Sequence, residues 1–429
     1  MPRETKDILS VLSSSSSKKA GEVNLAEHAP EKLLVARKSV ALLRNRGWID
    51  EAQEFERACG LPPADFDGET NGVVGDHVLG VAHGTILSTV HFRELNDPAD
   101  KRLAVKNGLR LIDIEIFSQC NRRCHYCSNS VLDRFSGNKF IDVELYRGVL
   151  TDLSEVDWDG QFRFIGLNEP TMHREFLIAR LREAKNIIPR AQLTIYTNGD
   201  YLRRDYLEDI YDAGCRALYI SVHLTQLAPF NDKKILWRIA LLARRLGVEY
   251  HIEQHVPGVS VLGFMTFRDM RIQIFQQDYA NVGHDRGGIL EGIGPHDYVR
   301  TAACLAPTRM MVISYNGNVL PCCHFVGDAP QHQGLIVGKL GQGRSIFDIY
   351  ASREYLAWRR GLYSVGPKSK ECRNCMDHAD NALLNDADVV AMAACDRTDA
   401  SAEHIEVIGG GGPRSLPVEG VFRVRRSAS

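Results

Sequence analysis

The sequence predicts an α/β chain built on a parallel sheet or an open barrel, and three observations support this. Short apolar runs, LIDIEIF, QFRFIG, QLTIYTN, ALYISVH and EYHIEQH, recur along the middle of the chain. They alternate with amphipathic segments such as REFLIARLREAKN, YLRRDYLEDIYDAG and KKILWRIALLARRLG, the pattern of repeated βα units whose strands pair in parallel. The polar and cysteine-bearing motifs stand directly after these runs, where open α/β architectures bind ligands.

Size and composition bound the problem. A chain of 429 residues exceeds one ordinary core, so two or three domains are expected. Apolar residues make up 44% and charged residues 25%, and no apolar run approaches the roughly 20 residues of a membrane helix. Lys plus Arg number 52 against 54 Asp plus Glu, so no global charge attracts a phosphate backbone and nucleic acid is a disfavoured partner. The opening MPRETKDILSVLSSSSSKK has neither an apolar signal core nor a small-residue cleavage site, which predicts a cytoplasmic protein. Eleven cysteines in such a chain point to metal binding or catalysis rather than to disulfides.

Four regions follow in order. Residues 1–106 form a helical or mixed N-terminal region. Its serine run Ser13 to Ser17 is expected to be a mobile terminus, since it has nothing apolar to bury. Between Pro30 and Cys59, Leu33, Leu34, Val40, Leu43, Ile49, Ala52 and Phe55 recur at helical spacing and predict two short helices. HVLGVAHGTILSTVHF reads as strand or irregular structure. Residues 107–300 hold the βα units, 301–380 a second cysteine group, and 381–429 a tail. In that tail Gly409 to Pro413 lacks the strand-before, helix-after context of a phosphate loop and reads as a turn.

After the first run stands Ser118-Gln-Cys120-Asn-Arg-Arg-Cys124-His-Tyr126-Cys127. Three thiolates in one short loop can wrap an iron–sulfur cube. Structural zinc takes four ligands, so a triad with no nearby fourth leaves one metal corner open for a substrate. A zinc or redox-sensing loop is the competing reading. This cysteine spacing, with Tyr126 before the third cysteine, resembles the defining motif of the radical S-adenosylmethionine (SAM) superfamily.

The resemblance implies a partial (β/α)6 TIM-like barrel with a small C-terminal domain for an auxiliary cluster. It implies that Cys120, Cys124 and Cys127 hold a [4Fe–4S] cluster whose fourth iron is chelated by S-adenosyl-L-methionine. An electron from a low-potential donor such as flavodoxin or ferredoxin then yields a 5′-deoxyadenosyl radical. The following strand ends match the family pattern: Gly166-Leu-Asn168-Glu169-Pro170, Tyr196-Thr197-Asn198-Gly199 and Ile220-Ser221-Val222-His223. By this resemblance Tyr126, Asn168, Glu169, Asn198 and Ser221 are cofactor-binding candidates, with Glu169 accepting from the cofactor's ammonium. Glu253 and His255, closing the fifth run, suit a ligand contact or a structural role equally. His284-Asp285-Arg286-Gly287-Gly288 resembles an Arg-Gly element of relatives with added clusters, its first residue departing from the usual Asn, and Arg286 is a candidate carboxylate binder.

Cys304, Cys322-Cys323 and Cys372-Arg-Asn-Cys375 form the second group. Between them Ile313 to Pro321 reads as a hairpin with an Asn316-Gly317 turn, and Ser345 as a helix start. The layout is similar to the Twitch and SPASM auxiliary-cluster modules. It implies one auxiliary [4Fe–4S] cluster on Cys304, Cys322, Cys372 and Cys375, with Cys323 beside it or in place of Cys322. A four-cysteine zinc site is the alternative. Of the remaining cysteines, Cys59, Cys215 and Cys395, Cys215 reads as a small core residue or a hydrogen donor. The catalytic candidates are Cys323, Cys215 and Arg286.

An auxiliary cluster can take an electron from a substrate radical. By resemblance, the leading expectation is a dehydrogenase acting on a secondary alcohol of a sugar, an aminocyclitol or a related small natural-product intermediate. An epimerase using a cysteine thiol is the alternative, and so is a ribosomal-peptide maturase. Maturases carry a winged-helix domain before the core, and the helices-first order here fits that poorly.

Overall fold

The computed structural model describes residues 86–225, 228–294, 299–301, 304–341, 343–363, 367–375 and 404–406. The serine run, the helices expected between Pro30 and Cys59, Cys59, Cys395 and the Gly409 turn lie outside the described residues.

Strand β1 (Ile86–Ser88) pairs with β12 (His404–Glu406), apart from the main sheet. Helix α1 (Pro98–Gly108) starts where Asp97 accepts from the Ala99 N–H and Pro98 takes the first turn, the residue types that satisfy a helix start. It leads into β2 (Leu111–Ile114), and the chain then runs α2 (Val143–Glu155), β3 (Gln161–Phe164), α3 (Arg174–Ile187), β4 (Gln192–Thr197), α4 (Arg204–Asp212), β5 (Ala217–Ser221) and α5 (Asp232–Leu246). β2, β3, β4 and β5 pair in parallel and in sequence order, as the alternation predicts. All four residues of β2 are buried, as a central parallel strand requires.

The fifth run departs from the expectation. EYHIEQH forms most of β6 (Tyr250–Val256), which is an edge strand of an antiparallel meander with β7 (Ser260–Phe267) and β8 (Met270–Gln277). It is β8 that lies parallel beside β5. Tight connections through Gly258 (φ +73°) and Arg268 (φ +56°) turn the chain back at once, leaving no room for a crossover helix. β6 alternates exposed and half-buried residues, the pattern of an edge strand.

After the short helices α6 (Tyr279–Val282) and α7 (Ala306–Arg309), β9 (Met310–Ile313) joins the other side of the sheet, parallel to β2. The expected hairpin follows. β10 (Asn318–Leu320) pairs antiparallel with β9 and with β11 (Gly338–Lys339), turning at Gly317 (φ +81°). The segment bearing the second cysteine group is thus bonded into the same ten-stranded sheet, in the order β11-β10-β9-β2-β3-β4-β5-β8-β7-β6. Its helices are α8 (Ile346–Tyr350), opened by a Ser345–Asp348 capping box, and α9 (Arg353–Tyr363).

The core lies between the sheet and helices α2 to α5. α5 shows the logic: Ile235, Ile239, Leu242, Ala243 and Leu246 face inward at helical spacing, each large one contributing about 1.5–3 kcal/mol by burial. Gly247 ends it in the left-handed conformation. Among the described residues, no helix is long and apolar enough to cross a membrane.

Candidate active site

One cleft of about 260 Å³ opens at the carboxyl ends of the parallel strands. Cys120, Cys124 and Cys127 stand in one wall, and the segment Cys323 to Gly327 forms another.

The cysteine loop follows β2 and is held at two points. In the first, Arg122 donates to both carboxylate oxygens of Asp200 at 2.7 Å and to the Leu224 carbonyl at 2.9 Å. Asn121 adds a bond to Asp200 at 2.8 Å and accepts one from Asn198, also at 2.8 Å. In the second, the buried guanidinium of Arg134 donates to Glu115 at 2.9 Å, to the Ser118 carbonyl at 3.1 Å and to Asp328 at 2.7 Å. The loop closes on itself where the Cys127 N–H donates to the Cys124 carbonyl at 2.9 Å.

Burial pushes the Cys120 thiol up to about 12 and the Cys124 thiol to about 11, so both are protonated at neutral pH without a metal. Metal binding would release those protons. Three thiols that open onto one cleft, with Cys120 and Cys124 needing a cation to ionise, fit an iron–sulfur cluster with one free corner.

Asn168 and Glu169 follow β3. The Glu169 carboxylate is buried and already accepts from Thr171 N–H (3.0 Å), Thr171 Oγ1 (2.5 Å), Thr197 Oγ1 (2.5 Å) and Asn198 N–H (2.6 Å). Three of these reach Oε1 and one reaches Oε2, so one lone-pair site on Oε2 remains for a ligand. Burial pushes its pKa up, and the same hydrogen bonds oppose that shift. Asn168 also lines the cleft, and neither its Nδ2 nor its Oδ1 has a hydrogen-bond partner. A buried amide with an open donor and an open acceptor fits the ammonium and carboxylate of S-adenosylmethionine. Asn198 and Ser221 also line the cleft.

Tyr126 is fixed from three sides. Its hydroxyl lies 2.8 Å from Nδ1 of His223 and accepts from Gln276 at 3.3 Å, while its ring stacks on Tyr279 at 4.8 Å. His223 closes the strand end Ile220 to His223 but was given no role in the sequence reading, and Gln276 and Tyr279 escaped it because β8 and α6 lie beyond the runs identified there.

The floor was also missed. Asp113 on β2 and Arg163 on β3 are direct register partners, form an ion pair at 2.5 Å and are 2% and 3% exposed. Both line the cleft, and the Arg163 guanidinium lies 5.5 Å from the Tyr196 ring. Both sit inside apolar runs that read as plain strands. The available signal was one charge of each sign at matched positions of neighbouring strands.

In the second cysteine group, Cys304 and Cys372 are buried with Ala306, Leu320, Phe325 and Leu362, and Cys322 packs against them. The Cys322 thiol is pushed well up by the neighbouring Cys323, by burial, and by Cys375 and Cys304. Cys304, Cys322, Cys372 and Cys375 therefore converge, a donor set that fits a four-thiolate cluster. Cys323 lines the cleft and also meets this group: its thiol hydrogen-bonds to that of Cys322, and the ligand atoms of Cys322, Cys323 and His324 lie within 4.8 Å of one another. Arg286 lines the cleft too, with φ +52°.

Three sequence candidates take the structural one of their two expected roles. Cys215 is fully buried in the core, where its thiol lies 3.4 Å from the Leu193 carbonyl and 3.2 Å from the Ala217 carbonyl. It cannot serve a substrate in the cleft as a hydrogen donor. Glu253 and His255 lie on the exposed edge strand β6, with His255 paired to Asp232 at 2.8 Å, because the meander carries them away from the strand ends.

Comparison with known proteins agrees with this geometry. Residues 114–244 match the family model of the radical SAM superfamily, and residues 304–376 match the SPASM iron–sulfur cluster-binding domain. The S-adenosyl-L-methionine-dependent 2-deoxy-scyllo-inosamine dehydrogenase of Niallia circulans is 27% identical over 268 residues, covering 62% of this chain and 92% of that protein. A tungsten-containing aldehyde ferredoxin oxidoreductase cofactor-modifying protein of Pyrococcus furiosus is 28% identical over 120 residues, covering 28% of this chain and 32% of that protein. Among solved structures, BtrN in complex with AdoMet and 2-DOIA superposes with a TM-score of 0.45 at 25% identity, covering 63% of this chain and 93% of that one. The cofactors that follow are S-adenosyl-L-methionine, a [4Fe–4S] cluster and an auxiliary iron–sulfur cluster. The chain thus carries a radical SAM domain over residues 114–244 and a SPASM-type iron–sulfur cluster-binding domain over residues 304–376.

Proposed function

We propose that this enzyme oxidises a secondary alcohol of a sugar, an aminocyclitol or a related small natural-product intermediate to a ketone. One observation carries the reading: a single cleft has the cysteine triad in one wall and, in another, the segment that bears the second cysteine group. A substrate held there lies between two redox centres, which favours net loss of electrons. The likeness to a dehydrogenase of 2-deoxy-scyllo-inosamine supports the same class.

In this reading Cys120, Cys124 and Cys127 ligate the first cluster, and Cys304, Cys322, Cys372 and Cys375 the second. When bound, these groups supply hydrogen-atom abstraction and an acceptor for the remaining electron. Asn168 and the free site on Glu169 Oε2 hold the cofactor's amino-acid end, with Tyr126, Asn198 and Ser221 around it. Arg163 directs its remaining N–H groups at substrate hydroxyls. Asp113, held by Arg163 at 2.5 Å, takes the hydroxyl proton. Arg286 orients a further polar substituent. The first electron comes from a low-potential carrier such as flavodoxin or ferredoxin, and the cytoplasm is the compartment we assign.

Incubating reconstituted enzyme with alcohols deuterated at the carbinol carbon tests this. Deuterium should appear in 5′-deoxyadenosine, and the product should be lighter than the unlabelled alcohol by two hydrogens. Cleavage of the cofactor without deuterium transfer from any polyol would overturn the reading.

The placement of Cys323 in the cleft favours epimerisation as the second reading, with its thiol returning a hydrogen atom. Product of unchanged mass in water, carrying solvent deuterium in D2O and lost in Cys323→Ser, would select it.

A further inference from the structure

Outside the cleft, the strongest unexplained feature is the outer face of α5. Trp237 is 63% exposed and Leu241 42%, one turn apart on a helix whose other apolar residues are buried or half-buried. Large apolar side chains grouped on a surface and rimmed by charge mark an interaction site. The rim here is basic: Lys233, Lys234, Arg244 and Arg245 are exposed on the same helix, with Arg203 and Arg204 exposed at the start of α4.

Trp237 and Leu241 line a groove with Arg238, Arg245, Gly199 and Asp200. Its floor connects directly to the cysteine loop. Asp200 faces Arg238 at 3.6 Å on one side and on the other takes the two-pronged bond from Arg122, which stands between Cys120 and Cys124. Arg245 fixes the turn before Asp200 by donating to the Gly199 carbonyl at 2.5 Å.

We infer that this groove is the docking surface for an acidic, low-potential electron-carrier protein, which delivers its electron to the cluster behind the Asp200–Arg122 wall. Charge complementarity selects the occupant, since a basic rim around an aromatic centre suits a carrier with an acidic face. Electron-transfer encounters need only a small, transient interface, below about 1,200 Å². In balance, the carrier loses one electron and the cluster gains it. The inference rests on the reductive chemistry of the family and is independent of the substrate reading, because cofactor cleavage is measurable without substrate.

The test uses the reconstituted holoenzyme with a flavodoxin as probe, and the variants Trp237→Ala and Arg244→Glu. Each should raise the flavodoxin concentration for half-maximal 5′-deoxyadenosine formation about tenfold or more. With dithionite as reductant, the rate should match the unmodified enzyme. Titration calorimetry should show the same weakening of flavodoxin binding, and added salt should weaken binding to the unmodified enzyme more than to Arg244→Glu. Equal loss with both reductants, or unchanged flavodoxin binding, overturns the proposal. So does a change of oligomeric state in ultracentrifugation with flavodoxin binding intact, which would make the face a contact between copies of this chain.

Discussion

Arg122 grips Asp200 with two parallel hydrogen bonds of 2.7 Å, tying the loop between Cys120 and Cys124 to the end of the third parallel strand. The pair is partly buried, so its bonds are only partly screened. Asp200→Asn should lower stability by about 1.5–3 kcal/mol and weaken iron retention, read by thermal melting and iron content after desalting.

The pH dependence of that pair has a definite sign. Burial pushes the Asp200 carboxyl up, but the Arg122 bonds and charge outweigh it and hold the pKa below the usual value. A lowered folded-state pKa means the stabilisation is complete above the unfolded value of about 3.9 and is lost as pH falls through the folded one. Melting curves of the unmodified protein and Asp200→Asn should therefore converge in acid and separate above about pH 4.

Arg134 joins three parts of the chain, Glu115, the Ser118 carbonyl and Asp328. Arg134→Ala strands a buried Glu115 and should cost about 3–5 kcal/mol. Calorimetry should show a drop in Tm on the order of 10 °C. Asp328→Asn, which leaves the Glu115 pair intact, should cost much less.

Iron counting separates Cys322 from its neighbour. Reconstituted protein should hold about eight irons, and about four after Cys322→Ala or Cys372→Ala. Cys323→Ala should keep about eight if Cys322 is the ligand and Cys323 only lines the cleft beside it. Loss of half the iron in Cys323→Ala with retention in Cys322→Ala would exchange their roles.

The orphaned amide of Asn168 gives a binding prediction. Asn168→Leu removes a donor and an acceptor for charged groups and should weaken S-adenosylmethionine binding about ten- to a hundredfold, measured by equilibrium dialysis.

If Asp113 takes the hydroxyl proton, Asp113→Asn should lower ketone formation by about 10²–10⁴. Deuterium transfer into 5′-deoxyadenosine should survive, so the two rates separate. Equal loss of both would assign the Asp113–Arg163 pair to structure alone.

The candidate radical-generating site was legible because its chemistry is local. Three cysteines on one short loop can hold a metal wherever the loop is placed, and Asn168, Glu169 and Asn198 follow strands whose alternation with helices shows in the sequence. The other parts depend on which distant residues meet. EYHIEQH looks like its parallel neighbours, and only the turn at Gly258 and the pairing of β7 with β8 make it an edge strand.

The Asp113–Arg163 floor exists because adjacent parallel strands settle in one register, a non-local choice invisible in either run. Cys215 and Cys323 were both candidate hydrogen donors in the sequence, yet one is sealed in the core and the other lines the cleft. Residue type and spacing specify what a short segment can bind. The pairing of strands far apart in the chain specifies what that segment faces.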